Sequence, residues 1–256
     1  MPLPVKPLSW VSEELLKKPA RLKSYYLLLI QKLFEKRIYD LLVVANIARV
    51  GSLDLYNNCF IQDGRKSKSL HKLQAFHLRM AEMHAEKIGW PKFDGLTIAQ
   101  AWDWGLQQKG LLEGFSEDAT SRALNAFTHI LSIKDEPLIL FWAIVGIEAL
   151  YVRGRDPKME QIRERTQVLL GEQISFKKKI SEMYNFRSSL IHGDLNFSGP
   201  YLLHDATPEI EKYDKALIES TDLAVAVLTA TLQQLISKNW KGLSFSYLVG
   251  DINHEP

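Results

Sequence analysis

The sequence predicts an all-α protein in which an N-terminal helical region precedes a helical bundle. Along most of the 256 residues, apolar side chains recur mostly every three or four positions, which is the period of one helix face. Residues that begin or end helices flank these stretches, and the clearest start is Thr207 followed by Pro208. Apolar and polar residues alternate convincingly only at 243–249, where we expect a short strand or an extended tail.

The N-terminal region, residues 1–115, is expected to be helical throughout. Its predicted helices are a short one capped by Ser12, then 20–50, 70–88 and 95–114. Stop signals come from Pro19, Gly51 and Gly89. The stretch 62–69 is glycine-containing and cationic, which is typical of a loop. This region is expected to cover the bundle, recognise a substrate or bind a regulator, and no motif within it selects among these roles.

The bundle is predicted to span residues 116–240, with a C-terminal tail at 241–256. Its helices are expected at 118–133, at an apolar core helix that opens at 135–137, and at 159–170, 173–192 and 208–238. Acidic residues and a first-turn proline make the start at 135–137 a strong signal. Gly154 and Pro157 separate the core helix from the next one.

The composition is that of a folded, soluble protein, with 46% hydrophobic and 24% charged residues. A formal net charge of +2 does not by itself indicate a nucleic-acid partner. The single cysteine, Cys59, excludes an intrachain disulfide and a thiolate-rich zinc site. His77 and His84 lie two helical turns apart, too far to ligate one metal ion, so no metal site is expected. Because no secretory signal is readable and no apolar run approaches about 20 residues, we expect a cytoplasmic protein without a membrane partner.

The segment at 184–194, YNFRSSLIHGD, carries the residues with chemical potential. Arg187 and His192 lie five positions apart, and Gly193 is a helix-stop residue. On a regular helix this spacing leaves the two side chains about 140° apart and about 7.5 Å along the axis. They converge more easily if the helix ends at His192, or if a second subunit brings its own copy across a two-fold axis.

The sequence RSSLIH at 187–192 resembles the R-x4-H signature of the HEPN superfamily, and more narrowly its Apea-like branch. The apolar helix FWAIVGIEALY at 141–151 precedes this signature, and a basic helical segment lies between the two. The resemblance covers about residues 118–238, which is less than half of the chain.

This resemblance implies an antiparallel helical bundle that forms a homodimer, with both motifs meeting at one cleft. It implies a metal-independent endoribonuclease that needs no cofactor and acts in bacterial antiviral defence or growth arrest. His192 would transfer a proton at the attacking 2′-hydroxyl or at the leaving 5′-oxygen of RNA. Arg187 would hold the scissile phosphate, and the product would carry a 2′,3′-cyclic phosphate.

Two positions depart from the patterns of the superfamily. The residue after the arginine is commonly Asn, Asp or His, whereas this chain has Ser188, a further candidate catalytic residue. Its hydroxyl can donate to phosphate but orients a histidine less firmly than an amide or a carboxylate. Asp194 stands where one variant of the motif has a tyrosine that a nucleotidyltransferase antitoxin modifies, so that partner is not expected.

Further residues are candidates for substrate binding and for support of the site. The run Lys177, Lys178 and Lys179 is predicted to contact RNA phosphates, and nine cations face five acids between residues 153 and 192. Glu148 lies in an apolar helix, where a carboxylate normally needs a cationic partner, and we expect it to orient Arg187. Asp194 is a second candidate for support.

Two alternatives stay open at this point. In the first, the chain is a noncatalytic module that binds RNA, a nucleotide or a protein partner through the same cleft. In the second, the motif is purely structural: Arg187 pairs with Glu182 or Asp194 on the surface, and His192 caps its helix, where the helix dipole favours a cation.

Overall fold

The computed structural model describes residues 19–55, 61–62, 65–66, 72–108, 115–172, 177–196 and 207–246. Within these ranges the secondary structure is eight α-helices and one small hairpin, which confirms the predicted all-α class. The helices are α1 (Pro19–Ala48), α2 (Phe76–Ile88), α3 (Ile98–Gly105), α4 (Ala119–Ser132), α5 (Glu136–Tyr151), α6 (Lys158–Leu170), α7 (Lys177–His192) and α8 (Pro208–Ser237). The hairpin pairs β1 (Ile61–Gln62) with β2 (Arg65–Lys66) in antiparallel register.

The chain divides into two compact units, residues 1–41 and residues 42–256. In the first unit, Lys36 Nζ lies 2.7 Å from Asp40 Oδ2 one turn further along α1, the spacing at which helix ion pairs form. The second unit begins with the last turns of α1, where Val43, Val44 and Ile47 are fully buried. It also contains every helix from α2 to α8, so the elements between 72 and 108 share a unit with the predicted bundle. The domain boundaries at 115 and 240 stay predictions.

Helix α8 lies at the centre of the second unit. It packs against α2, α5 and α7, while α4 packs along α5. Every residue from Ser220 to Gln233 is buried. Helix α8 lies close to α5 at Gly146, where an added Cβ would lie 2.8 Å from Leu228 Cδ2 and 3.3 Å from Ala126 Cβ. A larger residue at this position would therefore require the side chain of Leu228 to move.

Among the described residues, α8 is also the one helix long and apolar enough to cross a membrane by length and composition. Of its most apolar window, 83% is buried inside the protein. A core helix of a soluble protein passes the same test, so this property does not decide between the two environments.

Several helix ends form at the residues that the sequence predicts. Thr207 Oγ1 accepts a hydrogen bond from the backbone N–H of Ile210 at the start of α8. Asp118 Oδ1 accepts one from the N–H of Ser121 at the start of α4. Gly89 follows α2 in the left-handed conformation, with φ 75°, and ends that helix.

Helix α2 begins at Phe76, whereas the sequence predicted a start near residue 70. The N–H of Leu55 donates to the carbonyl of Leu73 at 2.8 Å, and the N–H of Ala75 donates to Asp54 Oδ1 at 2.6 Å. Residues 72–75 therefore run beside residues 52–55, because these bonds commit backbone groups that a helix would use.

Three further predictions concern segments that are described only in part or not at all. The predicted loop at 62–69 contains one side of the small hairpin, which the glycine and polar residues there did not distinguish from an open loop. Residues 243–246 of the predicted strand or tail are neither helix nor strand, and 247–249 lie outside the described residues. The short helix capped by Ser12 also lies outside them.

The segment after α8, residues 240–245, lies against other helices of the same unit. The indole N–H of Trp104 on α3 donates to the carbonyl of residue 240 at 2.8 Å. The hydroxyl of Thr120 on α4 donates to the carbonyl of residue 241, also at 2.8 Å. The guanidinium of Arg165 on α6 lies 5.1 Å from the ring centre of Phe245. We refer to residues 240–245 as the C-terminal strap.

Candidate functional site

The candidate site is built on α7, whose C-terminal end is closed by local backbone bonds. Gly193 adopts φ 80°, and the N–H groups of Asp194 and Leu195 donate to the carbonyl of Ser189 at 2.9 and 3.1 Å. This arrangement is the Schellman-type end that a glycine just past the helix permits. His192 is consequently the last helical residue, and its side chain is exposed.

Arg187 lies one and a half turns before that end and faces α5. Its side chain is 16% exposed, and its guanidinium carbon lies 5.7 Å from the ring centre of Phe141. Arg187 Nη1 is 4.0 Å from Glu148 Oε1, which is an ion-pair contact longer than a hydrogen bond. Arg187 Nε is buried and has no hydrogen-bond partner among the described residues. The guanidinium is thus held in place with donor capacity unused.

Glu148 on α5 connects three side chains. Its Oε1 accepts a hydrogen bond from the hydroxyl of Tyr184 at 2.9 Å, and its Oε2 lies 3.1 Å from Lys158 Nζ on α6. Its contact with Arg187 adds a second cation. The negative charge of a carboxylate that is only 17% exposed is therefore balanced by two positive charges and one hydrogen bond. Arg187 therefore has Glu148 as its carboxylate neighbour in this structure, and neither Glu182 nor Asp194 takes that place.

Tyr184 is fixed as a hydrogen-bond donor in this cluster. Burial raises the pKa of its hydroxyl to about 12, and the hydrogen bond to Glu148 and the charge of that carboxylate add to the effect. The phenol therefore keeps its proton throughout the neutral range. It donates to Glu148, whose carboxylate lies beside Arg187.

The other predicted site residues are placed apart from this cluster. Ser188 is half-buried on α7, and no contact among the described residues joins His192 to Arg187. Lys178 Nζ pairs with the exposed Glu182 at 3.3 Å, and Lys179 is half-buried. The side chain of Lys177 lies outside the described part of the chain. Asp194 is exposed, and its backbone N–H closes the helix end.

Sequence reasoning gave no role to three residues of the cluster: Tyr184, Phe141 and Lys158. Tyr184 precedes Arg187 by three positions, which places both on one helix face, so spacing alone could have identified it. Phe141 and Glu148 are seven positions apart on α5 and also share a face. Lys158 had no such signal, because its approach to Glu148 depends on the path of the turn at 152–157.

Within the described residues, no group of three or more His, Cys, Asp or Glu side chains could hold a metal ion. Comparisons of the chain with protein-family models, with curated proteins and with solved structures find no match.

Proposed function

We propose that this protein is a metal-independent endoribonuclease of the HEPN type, in which Arg187 and His192 act on RNA at a cleft between two copies of the chain. One observation carries the proposal: a single helix, α7, holds Arg187 against Glu148 and Phe141 and presents His192 to solvent at its closed end. A fixed phosphate-binding cation and an exposed imidazole are the two groups that RNA cleavage by internal transesterification requires.

Arg187 would bind the scissile phosphate. A guanidinium donates in parallel to two phosphate oxygens and stabilises the charge that develops as the phosphorus becomes five-coordinate. The long contact with Glu148 supports this role, because it is not a hydrogen bond and leaves terminal guanidinium N–H groups for a phosphate oxygen. Glu148 and Tyr184 would act as positioning residues for the guanidinium.

His192 would carry the proton transfer. One imidazole removes the proton of the 2′-hydroxyl, the 2′-oxygen forms a bond to phosphorus, and the bond to the 5′-oxygen breaks as that oxygen takes a proton from the imidazolium. The products are a 2′,3′-cyclic phosphate and a 5′-hydroxyl. Arg187 and His192 diverge on one helix, so a two-fold axis that pairs two copies of α7 would supply both groups to one phosphate.

The biological role in the proposal rests on the resemblance to the HEPN superfamily, whereas the location and the lysine contacts rest on the sequence itself. The protein would act in the cytoplasm, in antiviral defence or growth arrest, with residues 1–115 available to a regulator. Lys177, Lys178 and Lys179 would add phosphate contacts along the N-terminal part of α7.

A second candidate is a noncatalytic RNA-, nucleotide- or protein-binding module. The observation that favours it is the engagement of Arg187 with α5: a side chain that is 16% exposed and packed over Phe141 has a structural role whether or not it meets a substrate. Ser188 at the position after the arginine favours the same candidate.

Cleavage of mixed RNA in excess EDTA separates the two candidates. We expect the wild type to produce cyclic phosphate ends, and Arg187→Ala and His192→Ala each to reduce the rate by at least about 100-fold while the far-ultraviolet circular dichroism is retained. Arg155→Ala, at an exposed position in the turn before α6, is the matched control and should cleave as the wild type does. Absence of cleavage at every salt and protein concentration would overturn the nuclease proposal in favour of the binding module.

A further inference from the structure

A solvent-open groove lies beside Glu148, between α4, α5 and the start of α6. Its volume is about 510 Å³, which is sufficient for a small ligand or one nucleotide of a longer chain. We call it the basic groove and define it by six of the residues that line it: Arg122, His129, Trp142, Glu148, Arg153 and Lys158.

Three cations from three different elements face one carboxylate in the basic groove. Arg122 on α4 is exposed and makes no ion pair within the described part of the chain. Lys158, the first residue of α6, is 56% exposed and pairs with Glu148. This excess of positive charge favours an anionic ligand.

Arg153 is anchored in an orientation that leaves donors available. Its Nη1 donates to the carbonyls of Ala149 at 2.8 Å and Val152 at 2.7 Å, at the C-terminal end of α5. These two bonds use one nitrogen of the guanidinium, so Nε and Nη2 remain for another acceptor. A pre-oriented guanidinium loses less entropy when it binds a phosphate.

The groove also contains a flat aromatic surface. The ring of His129 lies on that of Trp142, with centroids 3.9 Å apart and planes inclined by 12°. His129 is exposed, so the stacked pair is accessible to a ligand. Desolvation lowers the pKa of His129, which keeps the imidazole neutral near pH 7 and suited to stacking. Aromatic rings beside cations are the combination with which proteins bind unpaired bases and their backbone.

The basic groove and the cluster around Arg187 share one residue, Glu148. Glu148 contributes one carboxylate oxygen to Lys158 in the groove and the other to Tyr184 and Arg187 on α7. A strand bound in the groove would therefore contact Glu148, whose other carboxylate oxygen lies 4.0 Å from Arg187, the residue proposed to hold the scissile phosphate.

We infer that the basic groove binds single-stranded RNA: Arg122 and Arg153 contact backbone phosphates, and an unpaired base stacks on the His129–Trp142 pair. This inference rests on the proposed function and specifies its substrate as RNA with unpaired bases. Duplex RNA would not compete, because its bases are not free to stack on a side chain.

The test is fluorescence anisotropy with a labelled 12-nucleotide oligoadenylate, in the full chain carrying His192→Ala so that cleavage does not interfere. We expect Arg122→Ala and Arg153→Gln each to weaken binding severalfold. Each should also reduce the slope of the logarithm of the binding constant against the logarithm of the salt concentration by about the amount of one phosphate contact. Trp142→Leu should weaken binding about fivefold or more and leave the salt dependence unchanged. Lys92→Ala, at an exposed position outside the groove, should bind as the parent does.

Binding that is equal in the parent and in all groove variants would overturn the inference, provided that circular dichroism shows the variants folded. Competition by duplex RNA as strong as by single strands would also overturn it, as would a mononucleotide that binds as tightly as the 12-mer. If groove variants lose binding while the chain with His192 intact never cleaves RNA, the inference stands and the nuclease proposal fails. If cleavage occurs and is unaffected by the groove variants, the nuclease proposal stands and the inference about the groove fails.

Discussion

A carboxylate in an apolar helix needs cations or hydrogen-bond donors around it, and three side chains surround Glu148 in this way. Its position in the sequence predicted a cationic partner near the candidate site. Arg187 lies at 4.0 Å and Lys158 at 3.1 Å, and Tyr184 donates the one neutral hydrogen bond. Which cation would approach more closely depended on the turn between α5 and α6, and local sequence does not determine that path.

We expect Glu148→Gln to lower the free energy of unfolding by about 1–3 kcal/mol, because the substitution leaves a mostly buried guanidinium without its nearest negative charge. If Glu148 positions Arg187, then Arg187→Met should cost less in the Glu148→Gln background than in the wild type, by about 0.5 kcal/mol or more. Urea denaturation of the four proteins measures this difference. Strictly additive effects would show that the two side chains do not interact.

A second residue-scale prediction concerns Asp222, a carboxyl on α8 that is 5% exposed. Burial, and then the charges of Glu136 and Glu219, raise its pKa from an ordinary 3.8 to about 7. The folded protein therefore holds a proton there that the unfolded chain has already released. The stability associated with this proton is fully present below about pH 4 and is lost as the pH rises to about 7.

We expect Asp222→Asn to stabilise the protein by about 1–4 kcal/mol at pH 8, because the amide cannot ionise in the buried site, and by much less at pH 4. Thermal unfolding across this range measures the difference. Asp103→Asn, at an exposed position on α3, should show no such trend. A stabilisation by Asp222→Asn that is constant between pH 4 and pH 8 would contradict the assignment.

Among the helices and strands, the ends of helices were predictable from the sequence where a single residue determines the end. Thr207 at the start of α8, Gly89 after α2 and Gly193 after α7 all act through their own side chain or their own backbone conformation. The start of α2 was not predictable, because it depends on bonds from Leu55 and Asp54, about 20 residues earlier in the chain. The local sequence pattern does not show that distant groups will form hydrogen bonds with backbone groups that a helix would otherwise use.

The end of α7 gives a direct test of this distinction. Gly193→Ala should destabilise the protein by about 1 kcal/mol, because an alanine is strained at φ 80° even though no atom lies within 4 Å of the added methyl group. Gly95→Ala is the matched control: its surroundings are equally open and its φ is not in the left-handed region, so it should be neutral or slightly stabilising. Equal midpoints for the two variants in urea would contradict this account.

At the scale of the whole molecule, the second unit is held together by contacts between distant parts of the sequence. Gln233 Nε2 on α8 donates to the carbonyl of Ile47 at 2.8 Å, and its Oε1 accepts from the N–H of Asp94 at 2.7 Å. The sequence could predict each helix, and it could predict that Arg187 and His192 lie on the same helix. It could not predict the basic groove, because that groove requires α4, α5 and α6 to be placed in three dimensions.

The proposed composite cleft makes a prediction for the assembled protein. If each active cleft takes groups from two copies of α7, then mixing the inactive Arg187→Ala and His192→Ala proteins should restore measurable RNA cleavage after subunit exchange, since a mixed dimer still holds one arginine and one histidine. Cleavage of the labelled 12-mer before and after co-incubation measures the recovery. Mixed dimers that form, as shown by differently tagged subunits, and remain inactive would exclude a shared cleft.

The C-terminal strap has a consequence for how the protein is made. Trp104, Thr120 and Arg165 all have partners in residues 240–245, so three helices that are synthesised earlier complete their contacts only with residues translated after α8. A ribosome-bound chain cannot form these bonds until residue 245 has left the exit tunnel. The nascent protein is therefore expected to remain sensitive to protease until that moment, and to become resistant in a single late step.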